Sequence, residues 1–555
     1  MSHCEEYYNV FTGNQAEKGE KTFISVREME NSLLKEANKF SSKKEEQKDV
    51  SGLTTDFLAI MPRKAFGLMN KICSEMVECD DSIGFIPKKK GCGAQLDKKL
   101  SACKSPEGKF LSEAIAKMKR LNAGISKDCF YHELVCSVLA TQHSQPPRIQ
   151  TFAEPVLTEF LEKKVYRSSK TLKNNVKIFP VEGVCSALIN IFNTLKYNGL
   201  LIPGDEIGVI SPVSSGYFEL PTLRNYELRM VCIESDPENP SNIPVEQLNK
   251  ISDKNMKAML LMDPSDASGQ ALSCESIQNL QKLVRKDNPE LILITVSSYA
   301  PFTENFNSVW DNMSQNSIGV FGFSEYFGAA GWNLACIVTH NSNLIDRKLL
   351  KNAPEDVNSR YKIMTSNPER LKLMDRIVMD SRQVVGFDVA GMATPSQVLM
   401  CLFAAQELLD KKSSYATNVK LLLSERLYQL GEGLENPVFS DTLSSDCMVL
   451  LDLIKLAGDK AGGCEFGEYL KNFSSCLEFC SKLAREYGSV VLPGVALVAS
   501  EWKVRISLCS MDDRSMYELG CDIRELMDIY YEKFLVWKEK KRREEIKKEK
   551  EKAGI

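Results

Sequence analysis

The stretch VKIFPVEGVCSALINIFNTLKYNGLLIPGDEIGVIS, residues 176–211, decides the fold class. Val176 to Phe179 is an apolar run of strand length. Ala187, Leu188, Ile191, Phe192 and Leu195 then recur at helical spacing, which predicts a helix with one apolar face. Pro203-Gly204-Asp205 is a turn, and Glu206 to Ile210 is a second strand. The same alternation continues along the chain. Leu228 to Ile233, Ala258 to Met262, Leu291 to Val296 and Ile318 to Phe323 are further apolar runs, and a helix is predicted from Cys274 to about Lys286. Strands that are apolar throughout, with helices between them, predict an α/β fold with a mainly parallel sheet covered on both faces.

Outward from this centre the pattern changes. Residues from about 56 to 145 read as helical, with Phe57, Leu58, Met61, Phe66 and Met69 recurring around Pro62. After about 395 a long helix, Pro395 to Leu409, leads into a smaller α+β unit whose strand signals are Met448 to Leu453, Val490 to Leu492 and Val504 to Leu508. The expected organisation is a polar arm over 1–50, with Lys43 to Lys48 as a solvated face or loose arm. A helical segment joining the small domain follows over 51–165. The large domain spans 166–394, the small domain 395–535 and a charged tail 536–555. The segment Lys538 to Lys552 carries nine basic and five acidic residues. It reads as a solvated helix, or as a contact arm for an acidic filament.

Composition narrows the function. The 555 residues carry 70 Lys+Arg against 74 Asp+Glu, a net charge of −4, so no nucleic-acid-wide basic surface and no specific nucleic-acid partner is expected. There are 18 cysteines but no CxxC pair, and the four histidines form no zinc spacing with them, so no metal is expected. Cys476 and Cys480 lie four apart, as on one helix face, and the cysteines read as reduced packing residues. No apolar run approaches the roughly 20 residues that span a bilayer. A cytoplasmic protein with no membrane contact is the expectation.

One family resemblance is carried by specific segments. VEGVCSALINIFNTLKYNGLLIPGD (181–205), SPVSSGYFELP (211–221), LMDPSDASG (261–269), TVSSYAPF (295–302) and GFSEYFGAAGWNLA (322–335) stand in the order and spacing of the aspartate 4-decarboxylases. TDFLAIMPRKAF (55–66), LPG (492–494) and VRIS (504–507) resemble that family's terminal segments. The resemblance covers most of residues 50 to 535. It implies a fold-type-I PLP-transferase (aminotransferase class I/II) with a large and a small domain. It also implies pyridoxal phosphate (PLP) as cofactor, and a dimer or larger ring of dimers.

The chemistry the resemblance implies is not carried by the aligned residues. The lysine that forms an imine with PLP aligns with Glu325, and a carboxylate forms no imine. The acid beside the pyridine nitrogen aligns with Val296. The phosphate-binding arginine aligns with Asn333, and the Gly-Thr-Ala turn with Val184, Cys185 and Ser186. The asparagine on the ring oxygen aligns with Asp263, and the stacking aromatic with Ser214. Tyr299 and Arg505 match the tyrosine at the ring oxygen and the arginine that clamps the substrate carboxylate. Losing the arginine, the pyridine acid and the asparagine removes roughly 5 kcal/mol or more of cofactor affinity. The expectation is a catalytically inactive aminotransferase-like protein, without PLP, kept as a structural or assembly subunit, a homo-oligomer with the cytoskeleton as one place of attachment. Two alternatives stand: a small-anion or amino-acid module using Arg505, and an active PLP-dependent decarboxylase or aminotransferase.

Overall fold

The structure is a computed structural model. It describes residues 26–553 apart from 41–46, 81, 145–147, 169–170, 223–224, 353–354, 383–390, 461–462 and 500–501. Most of the expected N-terminal arm, 1–25, and Lys43 to Glu46 lie outside the described residues.

Its strands, in chain order, begin with Lys48–Asp49 (β1) and a hairpin of Glu78–Asp80 (β2) and Ile83–Phe85 (β3). Val176–Glu182 (β4), Glu206–Ser211 (β5), Arg229–Glu234 (β6), Met256–Met262 (β7), Ile292–Val296 (β8), Ser317–Gly322 (β9) and Leu334–His340 (β10) follow. Met448–Asp452 (β11), Ser489–Val490 (β12), Leu492–Pro493 (β13) and Lys503–Ser507 (β14) complete the set. β4 to β10 form one seven-stranded sheet of order β4-β10-β9-β8-β7-β5-β6. Only β10 runs antiparallel to its neighbours. The sequence reading gave no strand at Leu334–His340. Such a reversal needs only the connection 323–333, where a parallel return would need a longer crossover.

The two faces of this sheet bury alternate residues, as the pleat requires. Ala258 and Leu260 join one core with Leu188, Ile191, Phe192 and Leu195 of the helix Val184–Tyr197. Met259 and Leu261 join the other with Ile277, Leu280 and Val284 of the helix Cys274–Lys286. The small domain is the antiparallel sheet β11-β14-β13 with the helices Ser414–Leu434, Cys476–Tyr487 and Asp513–Ala553. Cys476 and Cys480 are free thiols buried in the core.

Three domain expectations are corrected. First, the described residues of the arm, 26–40 and 47–50, are held by the rest of the fold. The helix Val26–Phe40 packs against Cys476–Tyr487 through Met29, Leu33 and Ala37, and β1 pairs in parallel with β12. Second, the helices of the 51–165 segment pack on Thr394–Leu409 and β4, which belong to the large-sheet side; its start, at Ser51 and Asp56, and Lys164 near its end are tied to the small domain. Third, no break separates small domain from tail. Asp513–Ala553 is one helix of 41 residues, about 60 Å long. Met516, Leu519, Ile523, Met527, Tyr530 and Phe534 bury its inner part, and residues 538–549 are exposed. No described helix is long and apolar enough to cross a membrane.

Candidate functional site

In an open parallel sheet the residues just past the carboxyl ends of the strands share one crevice. Here those residues are Gly183-Val184-Cys185 after β4, Ser214 after β5, Asp263 after β7, Tyr299 after β8 and Glu325 after β9. The fold therefore gathers most of the sequence-predicted positions.

Glu325 lies in the first turn of a short helix, Ser324–Phe327, closed by Gly328 in the left-handed conformation at φ +61°. Gly322 supplies the space beneath it. A methyl group there would come within 2.6 Å of Glu325 Oε2, 2.7 Å of Ser298 Oγ and 2.9 Å of Val184 Cγ2. Glu325, Ser298 and Val184 thus converge over one glycine. Glu325 Oε2 is buried without a hydrogen-bond partner. Burial, and then the charge of Asp266, hold this carboxyl above the usual glutamate range.

The second acid in the cleft is Asp266, not Asp263. Asp266 Oδ1 accepts from the Ser214 amide at 3.3 Å, and its Oδ2 is buried and unpartnered. Its charge raises Glu325, Tyr299 and Tyr217. Asp263 instead accepts from the Leu272 amide at 3.0 Å, and its own amide donates to the Val296 carbonyl at 2.9 Å. Val296 is buried at the end of β8. Tyr299 is buried with an unpartnered hydroxyl, and its phenol is raised by burial, then by Glu325.

Arg505, buried in β14, is already engaged. Its Nη1 donates to Ser214 Oγ at 3.2 Å and to the Asp266 carbonyl at 3.3 Å, and its Nη2 donates to the Ser51 carbonyl. Only Nε is without a partner. Asn333 stands at the rim, exposed, at φ +49° beside Gly183. Cys185 is exposed at the mouth, and its thiol is raised by the surrounding protein and by Glu325.

Two cleft residues were not singled out from sequence. Asp266 follows Asp263 by three. Tyr217 follows Ser214 by three and feels Asp266, Cys185, Glu325 and Arg505, so the cleft holds an aromatic besides Tyr299. Only the packing of segments far apart in the chain shows that they belong together.

Asp263 has a consequence for stability. Burial pushes its carboxyl up to about 7. A folded value above the unfolded one means the native state binds more protons, so stability falls as pH rises from about 4 to about 7. Asp263→Asn keeps an acceptor for Leu272 and removes the titration. Urea midpoints across that range are expected to fall more steeply for the parent than for Asp263→Asn, by up to about 1.4 kcal/mol per pH unit. Parallel curves would contradict the assignment.

Comparison with known proteins agrees with this architecture. The sequence matches the bifunctional aspartate aminotransferase and L-aspartate beta-decarboxylase of a Pseudomonas species at 29% identity over 488 residues, covering 86% of this chain and 91% of that one. The fold matches an aspartate aminotransferase mutant of Thermus thermophilus (TM-score 0.56, 15% identity, 90% of this chain and 96% of that one). It also matches the aromatic aminotransferase of Pyrococcus horikoshii (TM-score 0.55, 14% identity, 90% and 100%). The profile of "Aminotransferase class I and II" matches residues 139–520. The chain belongs to the aminotransferase class I and II family.

Proposed function

We propose that this chain is an aminotransferase-family protein without imine chemistry, an architectural subunit rather than an enzyme. The observation that carries the reading is Glu325. The position that the resemblance aligns with the imine-forming lysine holds a carboxylate, placed in the cleft over Gly322 beside Ser298 and Val184. The donor set does not fit PLP, an anionic phosphorylated aldehyde. An imine needs a primary amine, and the acid groups Glu325 and Asp266 would face the cofactor with like charge. Asn333 offers no cation for a phosphate, and Val296 offers no counter-charge for a pyridinium nitrogen.

The reading extends to self-association. Leu58, Ile60 and Trp332 are exposed, and they lie on one region. The Ala59 amide donates to the Phe327 carbonyl, and Phe66 packs edge-on to Trp332. An apolar surface of this kind beside the cleft mouth supports a homodimer or larger assembly. The exposed, basic end of the Asp513–Ala553 helix supports attachment to an acidic partner.

The test is direct. Purified full-length protein is mixed with PLP, reduced with borohydride and mapped by mass spectrometry. No single lysine is expected to carry a pyridoxyl group, and the mixture should stay free of the yellow imine band. A stoichiometric label on one lysine, or turnover of aspartate, would overturn the reading. Light scattering is expected to give a mass of two or more chains.

A further inference from the structure

The small antiparallel sheet ends on an unshielded strand. β11 has a single neighbour, β14. The Leu508 amide donates to the Cys447 carbonyl at 2.9 Å, and the Leu453 amide to the Trp502 carbonyl at 3.0 Å. Antiparallel partners alternate between hydrogen-bonded and open pairs. The odd residues of β11 therefore bond to β14, and the even ones, Met448, Leu450 and Asp452, turn their backbone groups outwards. Met448 is covered there: a methyl group on Gly269 would lie 2.6 Å from its carbonyl oxygen. The chain just before β11 is paired as well. The Ser445 amide donates to the Gly269 carbonyl and the Ala271 amide to the Leu443 carbonyl, both at 2.9 Å. Pairing along this edge then stops. The N–H and C=O of Leu450 and the N–H of Asp452 meet no hydrogen-bond partner among the described residues.

A groove of about 410 Å³ follows the unpaired stretch and is lined by Val449, Leu450 and Leu451. Lys503 stands opposite Asp452 in the ladder, and its Nζ donates to the Pro237 carbonyl at 2.6 Å, which makes the Pro237 loop one wall. Val438 and Phe439, just past the helix Ser414–Leu434, add apolar surface, and Phe439 is 87% exposed. β11 carries none of the lysines or prolines that protect an edge; its one charge is the terminal Asp452. The charges around the groove are unbalanced. Lys503 is buried on the Pro237 carbonyl, and Lys455 pairs with Glu238 at 3.6 Å. Asp452 and Asp459 are left, and among the described residues only neutral groups engage them. Asp452 accepts from the amides of Ile454 and Lys455, and Asp459 from the Asn436 side chain.

We propose that the outer edge of β11 takes up an extended segment of a partner protein, with apolar residues against the groove and a basic residue at the Asp452–Asp459 end. The Leu450 N–H and C=O and the Asp452 N–H bond to the backbone of that segment. In such strand addition the main-chain bonds give affinity and the side-chain contacts give selectivity. A second copy of this chain fits less well. Antiparallel pairing of two β11 strands about Leu450 sets Asp452 of one copy against Met448 of the other, where Gly269 already sits. The proposal uses no residue of the strand-end cleft, so it stands whether or not a cofactor binds there.

Fluorescence anisotropy with the full-length protein tests this. The probe is fluorescein-labelled Lys-Val-Thr-Val-Thr-Val-Lys, whose two basic ends suit either strand direction. Two controls are the same peptide N-methylated at its inner amides and a version with Glu at both ends. The probe is expected to bind once per chain, and each control at least about tenfold more weakly. Leu450→Pro removes one outward N–H and no ladder bond, which an edge strand tolerates, and is expected to weaken the probe by about tenfold. Phe439→Ser, at an exposed position, is expected to weaken it a few-fold and supplies the test if Leu450→Pro fails to fold. Hydrogen exchange is expected to slow on binding across Met448–Asp452. No anisotropy change up to about 1 mM protein would overturn the proposal. So would equal binding of either control, unchanged affinity in the folded variants, or unchanged exchange across Met448–Asp452 in the complex. A probe that splits the protein into smaller particles by light scattering would put a second copy in the groove and overturn it too.

Discussion

Arg505→Met is expected to lower the unfolding free energy by about 3–5 kcal/mol, read as a shift of the urea midpoint with an unchanged slope. The estimate is built from contacts. The guanidinium is buried and donates to two backbone carbonyls and one hydroxyl. A hydrogen bond to a charged group contributes about 1.5–3 kcal/mol, and each buried carbonyl left without a donor adds a desolvation term. The acceptors come from three separate segments: Ser51 ahead of the helical layer, Ser214 after β5 and Asp266 after β7. Arg505 itself is in β14 of the small domain. One side chain therefore ties the small domain to the large sheet and to the incoming N-terminal chain. Arg505→Lys is expected to recover only part of the loss, since one ammonium cannot reproduce the planar fork. This result separates two roles. An arginine kept free for a ligand would lose affinity for small acids and little stability. A change of the midpoint worth less than about 0.5 kcal/mol would show that the three contacts are not structural.

Much of this was legible because burial on both faces leaves a simple trace. Strands β5, β7, β8 and β9 are mostly apolar, and the helix Cys274–Lys286 starts at Ser273, whose hydroxyl accepts from the Ser276 amide, and shows one apolar stripe. The ends of these elements could be placed, and with them Glu325, Tyr299 and Asp263. What was not legible depends on partners far away in sequence. The helix Val26–Phe40 fully buries Met29, Leu33 and Ala37, a stripe narrow enough to read as a polar arm until Cys476–Tyr487 is laid against it. β10 is as apolar as its neighbours, and nothing local gives its direction. Arg505 could be read as a free clamp because its three acceptors lie more than 200 residues away in the chain. Asp266 and Asp263 look alike in DPSD, and only the fold turns one into the cleft and the other towards Leu272.

The same distinction explains why Tyr326-Phe327-Gly328 persists beside Glu325, and Gly328→Ala puts a magnitude on it. Gly328 sits at φ +61°, where an L side chain is strained by about 1–2 kcal/mol. A methyl group there would also lie 2.1 Å from the Phe57 carbonyl oxygen and 2.9 Å from the Leu58 Cα, both backbone atoms that cannot rotate away. Overpacking of this kind adds about 1–3 kcal/mol. The surrounding contacts resist relief. Arg63 donates to the carbonyls of Ala59, Phe327 and Gly328, and the Ala59 amide donates to Phe327. The expected loss is about 3 kcal/mol or more by urea unfolding. Gly331→Ala, where a methyl group meets nothing within 4 Å, is expected to change stability by less than about 0.5 kcal/mol. If Gly328 is held by packing alone, Gly328→Ala loses stability in protein that has never met PLP. Equal stability of the two variants would mean that the chain between Phe57 and Gly328 is not seated as described. The glycine is then explained by the backbone it touches, and its presence beside Glu325 needs no surviving chemistry.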